Sequence, residues 1–120
     1  MKNNSRATIA FIAGCIISNK QTSSVYDYLQ SKHILIIGTI NGSNINLYDH
    51  DQGCHLTGNV SNSSFNLYHY GDAHHISFEI KGKEFNGYDY GSSFHFSGSV
   101  NGNSISLYDY QHSKHFNYSI

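Results

Sequence analysis

GYDYGSSFHFSGSVNGNSIS, residues 87–106, is the stretch whose reading decides the fold. Phe94, Phe96, Gly98 and Val100 alternate with His95, Ser97 and Ser99, the period-two pattern of a strand with one buried face. Asn101-Gly102 follows at once. Asn-Gly between alternating segments signals a hairpin, because a type I′ turn needs positive φ at both central residues. The returning strand runs from Ser104 to Tyr110, and a looser polar turn, Gln111 to Lys114, leads onward.

The rest of the chain from residue 26 reads as edited copies of this unit. Tyr88 recurs as Tyr26, Tyr48, Tyr68 and Tyr108, at spacings of 22, 20, 20 and 20 residues. Three copies carry Tyr-Asp-Tyr, beginning at Tyr26, Tyr88 and Tyr108; the variants are Tyr48-Asp49-His50 and Tyr68-His69-Tyr70. Each copy also places a histidine at one point: His33, His55, His75, His95 and His115. Such a period marks serially paired or stacked supersecondary units. Equivalent turns fall at Asn41-Gly42, Ser61-Asn62 and Lys81-Gly82.

With a two-residue turn, Val100 faces Asn103, Gly98 faces Ile105 and Phe96 faces Leu107. The same register pairs His95 with Tyr108, His75 with Tyr88 and His55 with Tyr68. One face then collects Ile34, Ile36, Ile40, Ile45, Leu47, Leu56, Val60, Phe65, Leu67, Ile76, Phe78, Ile80, Phe85, Phe94, Phe96, Val100, Ile105 and Leu107. The other carries Ser, Thr, Asn, the repeat histidines and the first tyrosine of each Tyr-Asp-Tyr. A one-residue slip would invert every assignment.

Two strands per repeat give about ten, and their apolar face approaches ~1,000 Å². So large a patch must be covered. The expected fold is therefore all-β: tandem antiparallel hairpins in a meander, closed as a barrel or sandwich or paired in a dimer. The alternative is a β-solenoid with one coil per 20-residue repeat. The 120 residues make a single β-repeat domain, with residues 1–6 expected to be flexible.

The opening MKNNSRATIAFIAGCIISNK admits two readings. Met1 to Arg6 and Ala7 to Gly14 could be the n- and h-regions of a signal, with Ile12-Ala13-Gly14-Cys15 as a lipobox that lipidates Cys15 and anchors the chain to the cell envelope. Alternatively the segment is the first strand of the array, with Gly14-Cys15-Ile16 aligned on Gly38-Thr39-Ile40. The run is too short and interrupted to span a bilayer. Cys15 and Cys54 form no CxxC, fall on opposite faces and are expected to stay unpaired, which fits a reducing, cytoplasmic compartment.

Charge argues against nucleic acid as partner: 7 Lys plus Arg and 8 Asp plus Glu are scattered singly, with no basic stripe. The repeat histidines suggest a metal array, yet in a meander they sit two strands apart, roughly 9.6 Å, and metal ligands must converge. Each is better read as the cross-strand partner of a tyrosine. The densest metal-type cluster, His69, Asp72, His74 and His75, is read as adventitious, and no metal site is expected. Asp27, Asp49, Asp89 and Asp109 occur once per repeat beside a turn, where Asp hydrogen-bonds local backbone. No nucleophile elbow or phosphate loop is present, and near-identical residues spread over repeats do not make one convergent constellation. The expectation is a non-enzyme without cofactor.

Tyrosine beside Asn and His suits recognition surfaces, being amphipathic and stiff. The candidate binding residues are Tyr48, Tyr68, Tyr88, Tyr108, His55, His75 and His95, facing a glycan or another polar partner such as a protein surface. Two further readings are a self-associating element working through its apolar face or edge strands, and a barrel that holds a small apolar ligand.

In its Tyr-Asp-Tyr segments, its SRATIAFIAGCIIS opening and its terminal HFNYSI, the chain resembles a group of short, uncharacterised bacterial proteins built from such repeats. The resemblance covers nearly the whole chain. It implies a bacterial origin and an N-terminus that belongs to the fold, and brings no activity, substrate or cofactor.

Overall fold

The computed structural model describes residues 1–120. One helix, α1 (Asn3–Ile17), precedes ten strands: β1 (Ser24–Asp27), β2 (Lys32–Ile40), β3 (Asn44–Asp49), β4 (Cys54–Ser61), β5 (Ser64–His69), β6 (His74–Lys81), β7 (Glu84–Asp89), β8 (Phe94–Asn101), β9 (Ser104–Asp109) and β10 (Lys114–Ser119). Each strand pairs antiparallel with its chain neighbours, and β1 returns to β10 to close a barrel. The meander is therefore the fold. Antiparallel neighbours throughout replace the parallel stacking that a solenoid requires.

The inward and outward faces agree with the alternation, but the register differs by two residues. Val100 faces Ile105, Gly98 faces Leu107 and Phe96 faces Asp109. Asn101 pairs with Ser104, so the turn is Gly102-Asn103, and positive φ is found at Gly102 but not at Asn103. Asn62 and Gly82 hold the same place in their hairpins. Glycine at the first central position suits a turn with one positive φ, rather than the I′ turn expected from Asn-Gly. In the β2–β3 hairpin Gly42 has no positive φ; instead Asn41 Oδ1 accepts from the backbone N–H groups of Ser43 and Asn44. Because a two-residue shift preserves the faces, the core residues survive the correction.

The N-terminal segment is neither strand nor free tail. Residues 5–15 form a helix buried inside the barrel, including Ala7, Ile9, Ala10, Phe11, Ile12 and Ala13. A helix apolar on all sides is stable only when enclosed. Burying Ile9, Phe11 and Ile12 contributes about 1.5–3 kcal/mol each. Small residues let it fit: a Cβ on Gly14 would come within 3.0 Å of the Ile105 side chain. Of residues 1–6, expected to be flexible, Asn3 to Arg6 form the first turn of α1, and Met1, Ser5 and Arg6 are buried. The lipobox-like stretch lies within α1, so a chain cleaved before Cys15 would lose most of its plug.

The helix does not lie on the barrel axis. It packs against β8, β9, β10, β1 and β2, bracing the seam where β1 and β10 share only the pairs Tyr26–Ser119 and Asp27–Tyr118. The opposite half is filled by phenylalanines. Phe78 stacks on Phe65 at 4.6 Å and meets Phe85 and Phe96 at 6.5 and 6.3 Å. Ile40, Val60 and Ile80 are only partly buried, while Phe94, expected on the apolar face, is 43% exposed at the barrel end. Val25, Phe116 and Tyr118 join the core by the same alternation.

Candidate functional site

Alternation sends the first tyrosine of each repeat outward, where it meets the repeat histidine across a strand pair. Tyr26 pairs with His33, Tyr48 with His55, Tyr68 with His75, Tyr88 with His95 and Tyr108 with His115. The partnership of Tyr with His is as expected; the particular partners are not. The two-residue shift moves each pair to the other hairpin, so that His95 meets Tyr88 and Tyr108 faces Ser97.

In each pair the rings are edge-to-face, with centroids 4.7 to 4.9 Å apart. On its other side each first tyrosine takes a second edge-to-face ring two residues on: Tyr28, His50, Tyr70, Tyr90 or Tyr110, at 4.8 to 4.9 Å. These second rings lie beyond the last ladder pair, on turn residues. Tyr28, Tyr70, Tyr90 and Tyr110 are 49 to 59% exposed, whereas the first tyrosines are half-buried between their neighbours. The result is a belt of five three-ring clusters around one end of the barrel. Neighbouring clusters are two strands apart, roughly 10 Å. A hollow of about 440 Å³ beside one of them is lined by Asn86, His95, Ser97 and Tyr110.

Of the candidate binding residues, Tyr48, Tyr68, Tyr88, Tyr108, His55, His75 and His95 all lie in this belt. The most exposed members, Tyr28, Tyr70, Tyr90 and Tyr110, did not stand out as site residues. The i, i+2 spacing within Tyr-Asp-Tyr carries the signal, since residues two apart share a face.

The same alternation turns the middle residue of each Tyr-Asp-Tyr inward. Asp27, Asp49, Asp89, Asp109 and His69 are all buried, forming a ring at the N-terminal end of α1. They serve the turns as expected: Asp49 Oδ1 accepts from the N–H groups of Asp51 and Gln52, and Asp27 Oδ1 from Leu29 and Gln30. Asp89 and Asp109 accept from Gly91 and Gln111. They also face the positive end of the helix dipole. Arg6 Nη1 donates to Asp109 Oδ2 at 3.1 Å, and its guanidinium lies 3.8 Å above the Phe116 ring. The Met1 ammonium is 3.1 Å from the same carboxylate.

At the one ring position without a carboxylate, His69 Nδ1 accepts from the Asp72 N–H at 3.1 Å, while His69 Nε2 is buried with no partner. Burial pushes the His69 pKa down, the nearby Asp72 and Asp49 opposing it. Asp72 is held below the usual carboxylate range: burial acts against this, and the Ser5 hydroxyl, His69, Gln52 and Lys2 outweigh it. His74 Nε2 approaches Asp72 Oδ2 at 3.9 Å, and its Nδ1 lies 3.1 Å from Asp89 Oδ1 at an angle that makes no hydrogen bond. The metal-type group of His69, Asp72, His74 and His75 is thus divided. The first three meet inside; His75 points outward to Tyr68. Asp49 and Cys54, absent from that group, stand beside His69 instead.

Both thiols are free. Burial pushes the Cys15 and Cys54 pKa values up. At the far end of the barrel, a cleft of about 940 Å³ opens between the C-terminal half of α1, the α1–β1 connection and β2–β5. Phe11, Cys15, Ile16, Leu47, Val60 and Phe65 line its apolar part. Barrel closure turns the apolar face inward.

Fold and sites together define a closed, ten-stranded antiparallel barrel plugged by its own N-terminal helix and ringed outside by aromatic clusters. In comparisons with known proteins, no family model, curated protein or solved structure matches the chain. No helix is long and apolar enough to cross a membrane.

Proposed function

We propose that the chain is a non-enzymatic recognition module that binds a polar, repetitive ligand, a glycan foremost, through the outward aromatic belt. The observation that carries this reading is the exposure of Tyr28, Tyr70, Tyr90 and Tyr110, each held edge-on by a half-buried tyrosine. Packing alone gives a turn no reason to hold a large ring in water. A tyrosine fixed in this way presents an apolar face for a sugar ring and a hydroxyl for its polar edge, with little rotamer entropy left to lose. Asn86, Ser97 and His95 add hydrogen-bonding groups beside Tyr110.

Repetition supplies the affinity. One cluster offers a small contact, but a polymer that reaches adjacent clusters gains by effective concentration. The test is a glycan array and polysaccharide pull-down with the intact chain and a variant carrying Tyr28, Tyr70, Tyr90 and Tyr110→Ala. Binding by the intact chain, lost in a variant that melts at nearly the same temperature, is the expected result. No binding on the array, or binding that survives all four substitutions, contradicts the reading.

The cleft beside Cys15 favours a second reading, a small apolar ligand at the far barrel end. Such a ligand would slow alkylation of Cys15 and leave the belt variant's binding intact.

A further inference from the structure

We infer that Asp49, Cys54 and His69 form a binding site for a divalent cation of the zinc class on the inner rim of the barrel. A carboxylate oxygen of Asp49, Sγ of Cys54 and a ring nitrogen of His69 all lie within 4.8 Å of one another. The residues come from adjacent strands. Asp49 on β3 is the ladder partner of Cys54 on β4, and His69 follows on β5, opposite Leu56.

Two departures from the repeat meet here. His69 holds the place that Asp27, Asp49, Asp89 and Asp109 hold in the other copies, and Cys54 is the only thiol in the column Lys32, Cys54, His74, Phe94, Lys114. The turn accounts for half of the histidine, because Nδ1 takes over the carboxylate's role by accepting from the Asp72 N–H. It does not account for Nε2, which is fully buried without a partner. A buried polar atom left unpaired is costly, and a cation bound through Nε2 gives it a partner, in exchange for the bond from the Asp72 N–H to Nδ1.

The surroundings fit. Arg6 and the Met1 ammonium turn to Asp109, leaving Asp49 with the Asn4 amide and backbone N–H groups. Gly71 keeps the space above the thiol open, since a Cβ there would come within 2.7 Å of Cys54 Sγ. Tetrahedral zinc with bonds of roughly 2.0–2.3 Å sets ligand atoms roughly 3.3–3.6 Å apart, so from separations of up to 4.8 Å the three close by at most about 1.5 Å on loading. Nitrogen, sulfur and oxygen together suit zinc or cobalt rather than calcium or magnesium. Three protein ligands leave a fourth position for water.

Loading releases the thiol proton of Cys54 and requires the neutral imidazole to carry its proton on Nδ1, so that Nε2 can donate its lone pair. The Nδ1–H then turns from the Asp72 N–H to Asp72 Oδ2, 3.8 Å away, giving a carboxylate–histidine–metal relay.

The test is titration of the chelator-treated full chain with Co²⁺, read by the thiolate-to-cobalt charge-transfer absorption, followed by displacement with Zn²⁺. One equivalent should bind. Cys54→Ser should abolish the charge-transfer band, Cys15→Ser should retain it, and His69→Asp should weaken binding at least about tenfold. His69→Asp installs the residue that the other copies use, so the fold, checked by circular dichroism, should survive. Failure of Co²⁺ to saturate, or a charge-transfer band that persists in Cys54→Ser, would overturn the site.

Discussion

Phe78 on β6 faces Gly87 on β7, the reverse of the equivalent hairpins, in which Gly38, Gly58 and Gly98 face Leu47, Leu67 and Leu107. The exchange puts the large side chain at the centre of the phenylalanine cluster opposite the helix. A Cβ on Gly87 would come within 2.2 Å of the Ser77 carbonyl oxygen, 2.4 Å of Phe78 Cβ and 2.6 Å of the Phe96 ring, so that Phe78→Gly relieves one of the three contacts. Gly87→Leu alone should therefore destabilise by about 1–3 kcal/mol through overpacking, and Phe78→Gly by about 3–5 kcal/mol through the cavity it leaves. The double variant restores the arrangement of the other copies. Denaturant unfolding should show it less destabilised than the sum by at least about 1 kcal/mol; strict additivity would contradict the size exchange.

The Arg6–Asp109 pair is buried on both sides. Removing one partner of such a pair typically costs about 3–5 kcal/mol because the other charge is left behind. Arg6→Met should fall toward the lower end of that range, since the Met1 ammonium also faces Asp109. Adding Asp109→Asn keeps the turn acceptor for the Gln111 N–H but removes the charge. Because the buried Met1 ammonium then loses its nearest carboxylate, the pair of substitutions should unfold at lower denaturant than Arg6→Met alone. Equal midpoints would mean that the Met1 ammonium does not depend on the Asp109 charge.

Tyr118, buried on β10, is pushed well above the usual phenol range by burial, with Arg6 acting against the shift and Asp27 and Asp109 adding to it. A raised folded-state pKa contributes stability that is complete below the unfolded value of about 10 and is lost as pH rises above it. The protein should lose stability above about pH 10. Tyr118→Phe should flatten that decline, as measured by thermal melting across the alkaline range. An identical decline in the variant would show that another group drives it.

Most of the sheet was legible because period-two alternation is unambiguous when repeated: Leu107, Ile105 and Phe96 could face only one way. Local turn chemistry was less decisive. Asn101-Gly102 suits two neighbouring registers with the same faces, and it is the pairing of Asn101 with Ser104, with no positive φ at Asn101, that separates them. The helix was hidden for a different reason. ATIAFIAGCII is short and apolar throughout, so it shows neither helical nor strand periodicity, and its Ile-x-Gly pattern imitates a strand. What demands a helix is the space inside a closed ten-stranded barrel, a property of the assembled sheet. A trace of it was present: phenylalanine is concentrated in β5–β8. The tyrosine belt could be read from faces alone. The Asp49–Cys54–His69 group could not, because it needs β3, β4 and β5 in register around the rim.

The central claim is that the N-terminal segment lies inside the barrel, leaving recognition to the outer belt and the two barrel ends. Amide hydrogen exchange on residues 7–15 of the intact chain tests it most directly. Enclosure predicts that these amides exchange as slowly as those of β7–β9, opening only with global unfolding. Exchange within seconds, while the strand amides remain protected, would place the segment outside the barrel and contradict the account.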